Sequence, residues 1–159
     1  MPLSIAEIPA LNGLLALCPM PGRGGNYPDD LAALLAWRPS LVLTMTSKLE
    51  LAAKGAATLP DDLAAAGVAW RHLPIPDFGT PRAETLALWP ETASTVHNLL
   101  SQGEKVLAHC MGGCGRSGMA ILRLLVEAGE NPQTALIRLR DVRPCAVETK
   151  AQLRWASAL

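Results

Sequence analysis

The chemistry in this chain concentrates in one stretch, His109-Cys110-Met111-Gly112-Gly113-Cys114-Gly115-Arg116-Ser117. Cys110 is a nucleophile in its thiolate form. Arg116, with five residues between, carries a planar fork that grips two oxygens of one anion. Glycines at 112, 113 and 115 let a turn gather backbone N–H groups into a concavity that holds a tetrahedral oxyanion. The same positive field favours thiolate at Cys110, and a thiolate beneath a bound phosphate is placed for in-line attack on phosphorus. An incidental buried cysteine in a tight turn needs neither the arginine nor the run of glycines.

Two elements must position this stretch. Lys105-Val106-Leu107-Ala108 reads as a buried strand, and Gly118 to Val126 as a buried helix. Cys110 therefore falls where a strand ends and Arg116 where a helix begins, so the helix N-terminus adds its own pull on an anion.

Thiolate attack leaves an alkoxide or phenolate that needs a proton. Asp77 is the candidate general acid. It lies in Pro74-Ile75-Pro76-Asp77-Phe78-Gly79-Thr80-Pro81, a loop stiffened by three prolines, after the strand Val68–Leu73. Two further runs, Leu14–Cys18 and Leu41–Met45, read as strands, the former as the first strand of the chain. Helices are expected between them. Ser47-Lys48-Leu49-Glu50 matches a capping box. Thr80 and Pro81 read as the N-cap and first position of a helix reaching Gly103, kinked or split at Pro90. Asn131 caps another helix, and Glu148 to Leu159 forms the last. Alternation of strands and helices predicts an α/β fold of three layers, with a central, mostly parallel sheet of four to five strands flanked by helices. In such sheets ligands bind at the carboxyl ends of strands, where Cys110 and Asp77 both fall.

The 159 residues suit a single domain, 1–159, with half the residues hydrophobic and a net charge of zero. That balance argues against nucleic-acid and membrane partners, and a monomer is expected. The N-terminus has no basic start followed by an apolar run, and no apolar stretch approaches membrane-spanning length, so a cytoplasmic location is expected. In a reducing compartment Cys18, Cys110, Cys114 and Cys145 read as free thiols. No second ligand cluster joins His109, Cys110 and Cys114, so neither a metal nor another cofactor is expected.

The stretch 109–117 resembles the active-site loop of the protein tyrosine and dual-specificity phosphatases. Pro76 to Pro81 resembles the general-acid loop of the compact dual-specificity enzymes. With Met20-Pro21-Gly22, Ser47 to Glu50, Leu139-Arg140-Asp141 and Ala146 to Thr149 recurring in order, the chain is similar to the cyclin-dependent-kinase-associated phosphatase branch and its bacterial relatives from about Leu14 onward. The resemblance implies a phosphocysteine on Cys110 and phosphoryl binding by Arg116. It implies an amide cradle from Met111 through Gly112, Gly113, Cys114 and Gly115 to Arg116. Asp77 is then acid and, in the second step, base; Ser117 donates to the thiolate; His109 orients the loop and supports the thiolate.

Where tyrosine-specific relatives place a water-positioning glutamine, this chain has Glu148, with Gln152 one turn later. The only tyrosine, Tyr27, does not sit in a motif that would build a deep phosphotyrosine slot. The implied substrate is a phosphoprotein, with phosphoserine and phosphothreonine admitted beside phosphotyrosine. The lack of lysine in the loop disfavours a lipid substrate. Cys114 is a candidate redox partner for Cys110, set against a plain packing role. A sulfurtransferase or arsenate reductase also uses an anion-binding cysteine loop, and a non-catalytic phosphate-binding module is a further alternative.

Overall fold

The computed structural model describes residues 2–158. Five strands form one sheet in the order β1-β2-β5-β3-β4. They are β1 (Ala6–Ala10), β2 (Gly13–Cys18), β3 (Leu41–Thr44), β4 (Ala69–His72) and β5 (Lys105–His109). β2, β5, β3 and β4 run parallel, and β1 pairs antiparallel with β2 at one edge. The expected α/β architecture is present.

Alternation along the strands sends side chains to two cores. Leu15, Leu17, Leu41, Leu43, Val106 and Ala108 point to one face. There they meet α4 (Ala83–Ser101), α5 (Gly115–Glu127), α6 (Pro132–Val142) and α7 (Lys150–Ser157). Ala16, Cys18, Val42 and Leu107 point to the other face. It is covered by α1 (Tyr27–Ala36), α2 (Lys48–Ala53) and α3 (Leu59–Ala65). The central strands are buried on both sides, which is why they read as continuous apolar runs.

Several sequence expectations change. Leu14–Cys18 is the second strand, because Ala6–Ala10 precedes it. Pro9 argues against a strand interior, but an edge strand tolerates it, and Ile8 and Ala10 still reach the core. The helix after the acid loop starts at Ala83 with Arg82 as its N-cap; Thr80 and Pro81 stay in the loop, and no side chain caps the end. That helix is not split at Pro90 but continues through it. Pro90 is exposed, so the backbone bond it removes is lost on the solvent side. The last helix is capped by Thr149 and ends at Ser157. Its expected end at Leu159 lies outside the described residues. Within them, no helix is long and apolar enough to cross a membrane.

Candidate active site

The loop from Cys110 to Cys114 leaves β5 with every carbonyl committed outward. Cys110 O accepts from His109 Nδ1 at 3.4 Å, and Met111 O from the Met20 amide at 3.1 Å. Gly112 O and Gly113 O accept from the Arg143 guanidinium at 2.8 and 2.9 Å. Cys114 O accepts from the Val147 and Gly118 amides. A trans peptide points its N–H opposite to its C=O. Fixing these carbonyls outside therefore turns the amides of Met111 to Gly115 toward the interior of the loop. Among the described residues none of those amides, nor that of Arg116, donates to a protein acceptor. Gly113 adopts φ +71°, and a side chain there would strike the backbone of Cys18 and Pro19. Gly115 leaves room for the Glu148 carboxylate and the Gln152 amide, both of which a Cβ would meet.

Cys110 is buried, and its Sγ lies 3.2 Å from Ser117 Oγ in the first turn of α5. Against a thiolate the hydroxyl is the donor. Arg116 is only 2 % exposed. Its Nη1 and Nη2 donate end-on to the two oxygens of Glu50, at 3.0 and 2.9 Å, and Nη1 also to Ile75 O at 3.0 Å. This occupies the Nη1/Nη2 edge. The Nε–H and the remaining Nη2–H form the second fork of the guanidinium, which stays open for two phosphate oxygens. Asp77 Oδ1 lies beside that edge, 3.4 Å from Nη2. Burial works against the Arg116 cation, yet Glu50, Cys110 and Asp77 outweigh it and raise its pKa. Burial likewise pushes the Glu50 carboxyl up, while Arg116 and Ser47 outweigh that and hold it below the ordinary carboxylate range.

Asp77 sits at the mouth with its side chain 57 % exposed. Phe78 N donates to its Oδ1 at 3.0 Å, with Phe78 in the left-handed region at φ 59°. The acid loop is tied down at its far side by Gln152, which is fully buried. Its Nε2 donates to Gly79 O at 3.1 Å, and its Oε1 accepts from the Glu148 and Thr149 amides. Both lone-pair directions of that oxygen are thus in use, and one amide N–H remains.

His109 is buried, and desolvation pushes its pKa down to about 4. Its Nδ1–H faces a carbonyl, so Nε2 is the acceptor and Thr44 Oγ1 donates to it at 2.7 Å. Trp70 Nε1 in turn donates to Thr44 Oγ1 at 2.8 Å. The histidine acts on the loop as a neutral hydrogen-bonding group, not as a cation.

The cysteines are a correction. Cys18 and Cys110 are free, but Cys114 and Cys145 are joined by a disulfide across 31 residues of sequence. Cys114 is therefore not available to trap Cys110 in this state. Cys18 is fully buried, and its thiol is pushed far up, chiefly by desolvation.

Sequence reasoning passed over two residues of this site. Glu50 was visible only as the acidic end of a capping box, and it fills that role too, with Ser47 N donating to Oε2 at 2.9 Å. Arg143 carried no signal, because what it binds is backbone. Tyr27 lies outside the site, donating to Asp62 at 2.6 Å.

A buried thiol paired with a hydroxyl, on a loop of inward amides that ends at an arginine with a carboxylate 3.4 Å from its guanidinium, suits phosphoryl transfer. The family described as "Tc-R-P: Polymorphic toxin system, DSP-PTPase phosphatase" matches residues 21–130. The chain belongs to the dual-specificity and protein tyrosine phosphatases. Cyclin-dependent kinase inhibitor 3 of Mus musculus is 32 % identical over 159 residues, covering 98 % of this chain and 74 % of that protein. A crystal structure of kinase associated phosphatase, with its catalytic-site cysteine substituted by serine, superposes with a TM-score of 0.84. It shares 26 % identity and covers 98 % of this phosphatase and 93 % of that chain. Tk-PTP in its active form gives a TM-score of 0.69 at 30 % identity, over 91 % and 92 % of the two chains. The α/β fold and the phosphatase activity expected from the sequence are thereby shown, near the kinase-associated branch.

Proposed function

We propose that this phosphatase hydrolyses phosphoproteins through Cys110, working as a single domain and without a metal. The observation that carries the assignment of roles is the pairing of Cys110 Sγ with Ser117 Oγ at 3.2 Å, on the loop whose Arg116 turns only its end-on edge to Glu50. The phosphoryl group enters with its oxygens on the Nε/Nη2 edge of Arg116 and on the amides of Met111 to Arg116. Cys110 attacks phosphorus, and the bond to the leaving oxygen breaks as Asp77 delivers its proton. In the second step Asp77, now ionised, takes a proton from water as the water attacks the phosphocysteine. Inorganic phosphate leaves, and Ser117 donates to the departing thiolate.

Glu50 orients Arg116 by filling its end-on edge, so the guanidinium presents only its other fork to the substrate. Gln152 acts through the acid loop by its bond to Gly79. Glu148, lying against Gly115, flanks the site where the second-step water attacks. With Tyr27 committed to Asp62, no tyrosine walls the pocket, which supports acceptance of phosphoserine and phosphothreonine with phosphotyrosine. The name of those relatives points to a cyclin-dependent kinase for them; for this chain the supported class is a phosphorylated protein or peptide.

Turnover of p-nitrophenyl phosphate in EDTA, followed by a panel of phosphotyrosine, phosphoserine and phosphothreonine peptides, tests this reading. Activity in EDTA that Cys110→Ser removes is expected. Retained activity in Cys110→Ser, or a strict metal requirement, contradicts it. Loss of a sulfur-transfer or arsenate-reducing activity with Cys110→Ser, in place of phosphatase activity, would favour the other cysteine-loop chemistries.

A further inference from the structure

The disulfide sits in an unusual place. Cys114 is at once a member of the phosphate loop and the N-cap position of α5. Its partner Cys145 is exposed, on the segment between α6 and α7. That segment supplies the groups that hold the loop carbonyls outward: the Arg143 guanidinium on Gly112 O and Gly113 O, and the Val147 amide on Cys114 O. These bonds turn the N–H groups of Gly113, Cys114 and Gly115 toward the anion. The segment is itself under strain. Val147 lies at φ 66°, a conformation costly for a β-branched residue, which persists only where surrounding ties over-determine it. Arg140 supplies two such ties, to Ala146 O and Val147 O. The disulfide is the covalent one.

We propose that the Cys114–Cys145 disulfide is a positioning element of the phosphate loop, and that its reversible reduction weakens oxyanion binding. The inference rests on the phosphatase reading of the site. With the bond closed, segment 143–147 is pinned, and the loop amides are organised before the phosphate arrives. With it open, Val147 is free to relax toward ordinary backbone, taking with it the donors that orient three amides.

The chemistry is thiol–disulfide exchange with a dithiol reductant. One thiolate of the reductant attacks the exposed Cys145 Sγ, the S–S bond breaks, and Cys114 leaves as a thiolate. The second thiolate of the reductant then displaces Cys145, so the reductant departs as its own disulfide. Two electrons pass to the protein, and the two released thiolates take up protons to become thiols. Arg143 Nη2 lies 4.0 Å from Cys114 Sγ, where its charge stabilises the leaving thiolate.

The test measures tungstate binding by calorimetry on Cys110→Ser protein, which carries no catalytic thiol to confuse the redox response. Each sample is measured oxidised, after dithiothreitol, and after re-oxidation, with the state of the disulfide read by intact mass. The inference predicts that Kd rises about fivefold on reduction, a modest loss of pre-organisation, and returns on re-oxidation. It predicts that Cys110→Ser/Cys145→Ser binds weakly in every condition and does not respond. Equal affinity in verified oxidised and reduced protein overturns the inference while leaving the phosphatase reading intact. So does a reductant response that survives Cys145→Ser, or a mass showing no disulfide before reduction. No tungstate binding in either state overturns the site reading, and this inference with it.

Discussion

The two loops that make the site are held in opposite ways. The phosphate loop is buried, with each carbonyl from Cys110 to Cys114 bonded outward and Arg116 locked on Glu50. The acid loop presents Asp77 at the surface, with its main anchors at Ile75 and Gly79, to either side of the carboxylate. The difference fits the roles proposed for the two loops. Electrostatic stabilisation of a phosphoryl group is strongest when the donors are fixed beforehand. A general acid must deliver a proton, regain one from water and let the product out, so a more open setting suits it. Arg116 joins the two loops, bonding Ile75 O and facing Asp77 from within the buried half.

Breaking the buried half at its centre has the largest effect. Cys110→Ser is expected to lower kcat on p-nitrophenyl phosphate by on the order of 10⁴-fold or more while leaving oxyanion binding measurable. Asp77→Asn tests the open half. Its cost is about 10²-fold on an alkyl phosphate and clearly less on p-nitrophenyl phosphate, whose leaving group needs little protonation. Equal losses on both substrates would remove Asp77 as the acid.

Glu50→Gln probes the link between the halves. It leaves the Arg116 charge short of its carboxylate partner, and because Glu50 is partly exposed the expected destabilisation is about 2 kcal/mol. The fork also loses its orientation, so KM should rise more than kcat falls. A denaturation curve with steady-state kinetics separates the two effects, and unchanged KM would contradict the orienting role.

Acid should weaken the buried half through His109. Its folded pKa of about 4 lies below the unfolded value of ~6.5, so the unfolded chain binds the proton first. Stability is full above ~6.5 and falls as pH drops toward 4, by on the order of 2–3 kcal/mol. Glu50 adds to the loss at lower pH. Its folded pKa is also depressed, so its contribution is present above the ordinary carboxylate value and disappears as pH falls through the folded one. Denaturant midpoints across pH 4 to 7 measure the slope, and His109→Gln should flatten it. The smallest effect is expected for Gln152→Ala, a few-fold loss in kcat/KM through a loosened Gly79 anchor.

Much of this was legible in the chain, and for physical reasons. β5, the glycines and Arg116 form one local strand–turn–helix unit, so the phosphate loop could be read without knowing the fold. Asp77 stood out as a candidate because three prolines limit what its loop can do, and the structure puts its carboxylate 3.4 Å from Arg116. The residues that escaped act across the molecule. Glu50 reaches Arg116 over 66 positions of sequence, and Arg143 binds carbonyls, which no side-chain pattern records. The free-thiol reading failed for Cys114 and Cys145 because compartment and cysteine count say nothing about two segments meeting beside α5. β1 was hidden by Pro9, whose cost depends on the strand being at an edge.

Rapid-quench mass spectrometry of the enzyme during turnover of p-nitrophenyl phosphate in EDTA tests the central claim most directly. The account predicts a phosphoryl group on the peptide containing Cys110, formed at a rate consistent with kcat and absent from Cys110→Ser. Turnover with no phosphoryl group on that peptide, or at an undiminished rate in Cys110→Ser, would contradict it.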